Sequence, residues 1–245
     1  MNSYRQLAFS YDELTGDVAY ERRADYLEKL FRRAAMPVHT VLDLACGTGT
    51  MTWLLARRGY EMIAVDGSAD MLAVAMAKAE NVGGEAPIFL HQSMPRLDLY
   101  GTVDAAVCCL DSLNYLTRPD DLRRTLERLR LFIAPGGLLV FDVNTEEKFR
   151  MMDGQVFLDE TEDAYCIWRT SYRRRICTYH VDLFRRCGTL WRRSEELHRQ
   201  RYYDRQELCQ ALSAAGFGRI RVYGDCRMRS PRQGEQRVYY SCVRL

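Results

Sequence analysis

The chain has 245 residues and a mass of 28.5 kDa, with 47% hydrophobic and 28% charged residues. That balance belongs to one large domain, or a domain with a sizeable insert, and excludes disordered, collagen-like and low-complexity classes. The formal charge of +2 hides an asymmetry: residues 1–164 carry 17 basic against 26 acidic groups, and residues 165–245 carry 18 against 7.

Met1-Asn2-Ser3-Tyr4-Arg5 lacks the basic-then-apolar layout of a secretory signal, and no apolar run reaches the roughly 18 residues of a membrane span. Thr40 to Leu44 is a short apolar run that leads into Ala45-Cys46-Gly47-Thr48-Gly49, the punctuation of a strand-to-helix turn. A helix over Met51–Arg58 stops at Gly59, and Glu61–Asp66 reads as the second strand. Ser68 is an N-cap for a helix over Ala69–Glu80. Pro87–Leu90 and Val103–Leu110 are the next strands, the latter apolar enough to be buried on both faces. A helix carrying Leu122, Leu126 and Leu129 closes at Pro135-Gly136-Gly137, and Leu138–Val143 is the fifth strand. Strands alternating with helices at this spacing predict a parallel, doubly wound sheet.

The rhythm then changes. From about Ala164 to Tyr203 the composition favours an antiparallel meander of about three strands, with a turn at Cys187-Gly188. Asp204 and Glu207 form a capping box for a helix through Ala215, followed by strands at Arg219–Tyr223 and Arg237–Val243. The expected organisation is a core of residues 1–146 and 204–245, with a helical N-terminus, and an antiparallel insert of residues 147–203.

Nine cysteines without a Cys-x-x-Cys pair, several inside apolar stretches such as Cys108, Cys109 and Cys166, predict reduced thiols and no metal site. The reading is a soluble cytoplasmic protein. Only Lys29, Lys78 and Lys148 are lysines, so the basic character is arginine. It is either solvated strand edges or a surface for an anionic substrate or nucleic acid, and charge alone does not separate the two.

The turn after the first strand brings backbone close to a ligand. Thr52 stands where a nicotinamide fingerprint needs its third glycine. Asp66 ends the second strand, where a carboxylate can accept two ribose hydroxyls, and Asp43 sits where one can hold an ammonium group. A ligand with an ammonium and a ribose but no pyrophosphate fits these residues.

Val41-Leu42-Asp43-Leu44-Ala45-Cys46-Gly47-Thr48-Gly49 resembles motif I of the class I S-adenosylmethionine-dependent methyltransferases, with Ala45 in place of the first glycine. Asp66-Gly67-Ser68-Ala69-Asp70-Met71-Leu72 resembles that family's ribose-binding loop. Gln92-Ser93-Met94 falls where the family often has an adenine-contacting Asp, and Ser93 departs from that pattern. Val103-Asp104 through Leu110-Asp111-Ser112-Leu113-Asn114-Tyr115 is similar to motif IV, beside the transferable methyl. The resemblance extends to Phe9-Ser10-Tyr11-Asp12-Glu13-Leu14 and to the insert, and is strongest to bacterial small-molecule enzymes whose insert caps the active site. It implies a Rossmann-like seven-stranded core and S-adenosylmethionine as cofactor, held by Tyr11, Asp43, Ala45, Cys46, Gly47, Gly49, Asp66, Gly67, Met71, Gln92, Ser93, Met94 and Leu110.

For the acceptor, Ser194 to Tyr203 reads as a strand with Glu196, His198, Gln200 and Tyr202 on one face. Relatives show a similar Glu-x-His-x-x-Arg-x-Tyr pattern. Asp111, Tyr115 and His198 are the expected catalytic residues, with His198 a general base or a structural histidine. Asn114, Trp168 and Arg201 are expected to bind substrate, and Trp168, Tyr172 and Tyr179 either wall a pocket or belong to the core. The expected activity is methyl transfer to a small molecule. A nucleic-acid or protein methyltransferase using the basic C-terminal third is the alternative, and a non-catalytic cofactor-binding protein a third reading. The first alternative lacks the Pro-Pro-aromatic and Pro-Cys motifs of base methylation. The sequence sets neither the acceptor nor the oligomeric state.

Overall fold

A computed structural model describes residues 7–14, 18–78 and 85–245, without the side chains of Phe9, Ser10, Glu13 and Leu14. The first five residues and the predicted end of a helix at Glu80 lie outside that set. In chain order the helices are α1 (Tyr11–Leu14), α2 (Tyr20–Phe31), α3 (Thr50–Arg57), α4 (Ala69–Ala77), α5 (Pro119–Phe132), α6 (Glu146–Met152) and α7 (Arg205–Ala214). The core strands are β1 (Thr40–Leu44), β2 (Glu61–Asp66), β3 (Ile88–His91), β4 (Val103–Cys108), β5 (Ile133–Asn144), β10 (Phe217–Gly224) and β11 (Arg237–Arg244). Between α6 and α7 run β6 (Val156–Glu160), β7 (Ala164–Arg173), β8 (Ile176–Cys187) and β9 (Leu190–Arg201).

The seven core strands form one sheet in the order β10-β11-β5-β4-β1-β2-β3. The pairs from β5 to β3 are parallel, and β11 runs antiparallel to both β5 and β10. Side chains alternate across this sheet, so its two faces build two separate cores. Leu42, Leu44, Ala106, Leu139 and Phe141 pack with α5 (Leu122, Leu126, Leu129) and α7 (Leu208, Leu212). Val41, Ala105, Val107, Leu138 and Val140 pack on the other face with α2 and α3 (Leu27, Leu30, Leu54, Leu55). Burial on both faces explains why these strands read as continuous apolar runs.

Local chemistry sets the helix ends as the sequence suggests. The Ser68 hydroxyl accepts from the Met71 amide at 3.3 Å, and the Asp204 carboxylate from the Glu207 amide at 2.8 Å. The fifth strand is longer than predicted, because Pro135-Gly136-Gly137 lies inside β5 rather than before it. Gly137 is required there: a Cβ would meet the Asp104 carbonyl oxygen at 2.7 Å.

The second sheet is antiparallel, ordered β6-β7-β8-β9. It has four strands where composition predicts about three. The extra strand is Val156–Glu160, whose five residues are mostly exposed and carry no alternating pattern. Its core joins Cys166, Cys177, Val181 and Leu183 to Phe149 of α6 and to Leu7 from the start of the chain. β7 and β8 meet at Arg174-Arg175, both left-handed (φ 50° and 64°), the sense a two-residue hairpin needs. The Cys187-Gly188 turn joins β8 to β9 at the opposite end.

Candidate active site

The turn after β1 holds three left-handed residues, Ala45 (φ 61°), Gly47 (φ 56°) and Gly49 (φ 72°). Ala45 adopts this conformation with a side chain, at a cost of about 1–3 kcal/mol. At Gly49 a Cβ would meet the Ala75 Cβ at 2.8 Å, so the absent side chain lets α3 start against α4.

Two carboxylates flank this turn. Asp43 is 2% exposed, and burial pushes its carboxyl up to about 6, with nearby Asp66 adding to the rise and a Thr52 hydrogen bond opposing it. The Thr52 hydroxyl donates to Asp43 at 2.6 Å. The residue that breaks the dinucleotide fingerprint is therefore the one that orients the acid. Asp66 accepts from the amides of Gly47 and Ser68, each at 2.8 Å. Its carboxyl is also raised, first by burial, against the lowering pull of those amides and of His91.

These groups open into a cavity of about 580 Å³, within the size range of small-molecule sites. Every predicted cofactor residue except Gly49 lines it: Tyr11, Asp43, Ala45, Cys46, Gly47, Asp66, Gly67, Met71, Gln92, Ser93, Met94 and Leu110. The Gln92 amide is spent on Asp98, donating to its carbonyl and accepting its N–H, so it shapes the wall through the 92–98 loop. The lining also includes Tyr20, His91 and Ser112, which the sequence reading did not single out. His91 ends β3, a strand-end position that could have flagged it. Tyr20 opens a helix with no motif around it.

The residues expected to handle the acceptor divide. Tyr115 lines the cavity. His198 lies behind it, 1% exposed, its ring 6.1 Å from that of Tyr115 and 6.2 Å from that of Trp168. Nε2 of His198 meets Glu196 at 2.9 Å, and the other Glu196 oxygen accepts the Leu7 amide at 3.2 Å. Asp111 is bound by Arg237 and Gln200. Asn114 is fully buried and works as a staple: its amide donates to the Arg201 carbonyl at 2.8 Å and accepts the Asn144 N–H at 2.9 Å. The Arg201 guanidinium turns to Glu207 (2.9 Å) and stacks 5.0 Å from the Tyr203 ring, beside α7. Trp168 donates to Asp159 at 2.8 Å, and Tyr172 stacks on Phe149. The cavity lining contains none of Asp111, Asn114, Trp168, Arg201 and His198.

The N-terminal segment crosses from the insert to the core. Leu7 sits in the insert's apolar cluster, Tyr11 lines the cavity, and Asp12 bonds Thr48 (2.6 Å), Thr50 (3.2 Å) and Lys78 (2.6 Å). Burial pushes the Tyr11 phenol well above its ordinary value, with Tyr20, Tyr115 and Asp111 adding to the rise. Among the described residues, no His/Cys/Asp/Glu group could hold a metal ion, and no helix is long and apolar enough to cross a membrane.

A strand–turn–helix cradle with an acid before it and a second acid at the end of the next strand defines a nucleoside-binding α/β protein. Residues 41–137 match the family described as a methyltransferase domain. The candidate methyltransferase YqeM of Bacillus subtilis (strain 168) is 32% identical over 97% of this chain and 95% of its own length. An S-adenosylmethionine-dependent methyltransferase from Clostridium acetobutylicum ATCC 824 superposes with a TM-score of 0.87, 25% identity and 99% coverage of both chains. CalS10 with bound cofactor, an amino pentose methyltransferase from Micromonospora echinaspora, gives 0.77, 21% identity and coverage of 100% of this chain and 99% of its own. The chain belongs to the class I S-adenosylmethionine-dependent methyltransferases.

The cavity fits that cofactor on its own chemistry. Asp43 is a buried acid whose raised pKa a cationic ligand would offset, and Asp66 keeps lone pairs for two hydroxyls after its backbone bonds.

Proposed function

We propose that the chain methylates a small-molecule acceptor bound in the cavity beside the cofactor, under the N-terminal strap. The observation that carries this reading is the strap over the cavity. Leu7 is tied to Glu196 of the insert and Asp12 to Thr48 and Lys78 of the core, with Tyr11 between them in the cavity wall. An acceptor confined by such a strap is compact rather than polymeric. CalS10, an amino pentose methyltransferase, shares the fold from end to end.

The bound cofactor supplies an electrophilic methyl on a sulfonium, and the protein's share is position and electrostatics. In this proposal Asp43 holds the ammonium and Asp66 the ribose hydroxyls. The amides of Gly47 in the left-handed turn and of Ser68 at the start of α4 hold Asp66 in place. Tyr115 and Tyr11 meet the acceptor and, with the strap, keep water out. His198 and Glu196 stand behind Tyr115 and fix its ring, while Asp111, Asn114 and Arg201 hold the wall from outside.

The arginines of the C-terminal third support the same reading. Arg173, Arg175, Arg186 and Arg193 each reach an acidic partner, at Asp153, Asp204 and Glu207, Asp163, and Asp182 and Glu195 respectively. Arg185 and Arg192 face each other near the β8–β9 turn, and the 173–175 run lies at the other end of β8. These three arginine runs thus split between two ends of the insert sheet instead of forming one continuous stripe along it. The test offers cofactor labelled on the methyl to a panel of amines, hydroxyl compounds and carboxylates, with total RNA and protein in parallel. Label in a small product is expected. Label confined to the RNA or protein fraction would overturn the proposal.

A further inference from the structure

Leu110 and Asp111 are consecutive non-glycine residues that are both left-handed, with φ 56° and 53°. Something must hold such a pair, because neither side chain favours that conformation. The holder is Asp142, fully buried near the end of β5. Its two carboxylate oxygens accept the amides of Leu110 at 2.8 Å and Asp111 at 2.9 Å. Two successive amides aimed at one carboxylate form a concave anion-binding nest. Arg237, on the neighbouring strand β11, supplies the counter-charge. One arm of its guanidinium reaches Asp142 and the other reaches the Asp111 side chain. Asp111 in turn accepts from Gln200 of the insert, and Gln200 accepts from the Tyr179 hydroxyl at 2.9 Å.

We infer that Arg237 and Asp142 are positioning residues for the methyl transfer, a clasp that fixes the cavity wall formed by Leu110, Ser112 and Tyr115. The inference rests on the cavity being the cofactor site. Arg237 is suited to this because a planar fork can serve two carboxylates at once, which a lysine ammonium on a flexible stem does less well. Without it, two acids remain buried beside each other, and Asp142 loses its direct ion pair, with Arg23 the remaining nearby cation. The clasp also links the insert to the wall, since the same Asp111 carboxylate receives both Arg237 and Gln200.

The test compares Arg237→Met, Arg237→Lys and Asp142→Asn with a control on the same strand. The control is Arg244→Met, whose guanidinium meets the Ile133 carbonyl at the far end of β11. Two readouts are taken: S-adenosylhomocysteine affinity by calorimetry, and amide exchange of the segment 109–115 without ligand. Arg237→Met and Asp142→Asn should each weaken binding at least tenfold. They should also speed exchange at residues 110 and 111 at least tenfold beyond any change in β1 and α5. Arg237→Lys should recover part of both effects, and Arg244→Met should show neither. Affinity within twofold of the parent in Arg237→Met, or exchange that rises equally throughout the sheet, would overturn the clasp. Parent protein that fails to bind S-adenosylhomocysteine would count against the cofactor site instead, and the exchange readout would still decide the clasp. If Arg237→Met does not fold, Arg237→Lys and Asp142→Asn carry the same two measurements.

Discussion

The cofactor cavity and the side proposed to face the acceptor are built by different means. On the cofactor side the bonds are short in sequence: Thr52 to Asp43 spans 9 residues, Ser68 to Asp66 spans 2, and Gly47 to Asp66 spans 19. On the acceptor side Gln200 reaches Asp111 across 89 residues, Asn114 reaches Arg201 across 87, and Leu7 reaches Glu196 across 189. The bonds of the first half all lie within the continuous stretch from β1 to the start of α4. The second half exists only once the insert, β11 and the N-terminal strap have all docked.

That difference can be broken or sharpened by measurement. The largest effect is expected in the sheet that both halves share: Leu139→Ala, fully buried in β5, should cost about 2–5 kcal/mol of unfolding free energy, read by denaturant titration. A loss below about 1 kcal/mol would mean that β5 is not the common foundation. Next, Asp66→Ala removes a charged hydrogen-bonding group worth roughly 1.5–3 kcal/mol, so S-adenosylhomocysteine should bind about ten- to a hundredfold more weakly in calorimetry. Unchanged affinity would move the cofactor elsewhere.

A smaller effect follows from Asp43. Its folded carboxyl titrates near 6 instead of the usual 3.8, so in the free protein it disfavours folding once ionised, with stability lost as pH rises from about 4 through 6. A cationic ligand group needs the ionised form. Affinity should therefore fall as pH drops below about 6, approaching tenfold per unit, and Asp43→Asn should flatten that profile. A profile that stays flat in the parent would remove Asp43 from the ammonium role. The smallest effect lies on the insert's outer hairpin, where Arg186→Ala removes a 3.9 Å ion pair with Asp163, exposed at both partners. It should change stability by less than about 1 kcal/mol and leave cofactor affinity untouched.

The same contrast explains what could be read before the structure. Val41 to Gly49 and Glu61 to Asp66 announce themselves because apolar runs, turn residues and acids fall at fixed local spacings. The capping residues Ser68 and Asp204 are legible for the same reason. Asp142 and Arg237 were invisible, because an acid inside an apolar strand and an arginine at a strand start acquire meaning only when β5 and β11 pair. His198 was legible as a residue facing inward, but its place behind Tyr115 depends on how the second sheet docks. Val156–Glu160 escaped because an edge strand exposed on both faces has no burial period to display.

Of the nine thiols only Cys187 is exposed, and it sits in the turn that joins β8 to β9. Cys108, Cys109, Cys166 and Cys242 are buried, and desolvation holds each thiol above its ordinary pKa, so they stay protonated and shielded. A maleimide dye at neutral pH should accordingly attach first at the hairpin tip, ahead of the half-buried Cys46, Cys209 and Cys226. Stored in air, the same thiol should link two molecules tip to tip, a covalent dimer that dithiothreitol reverses.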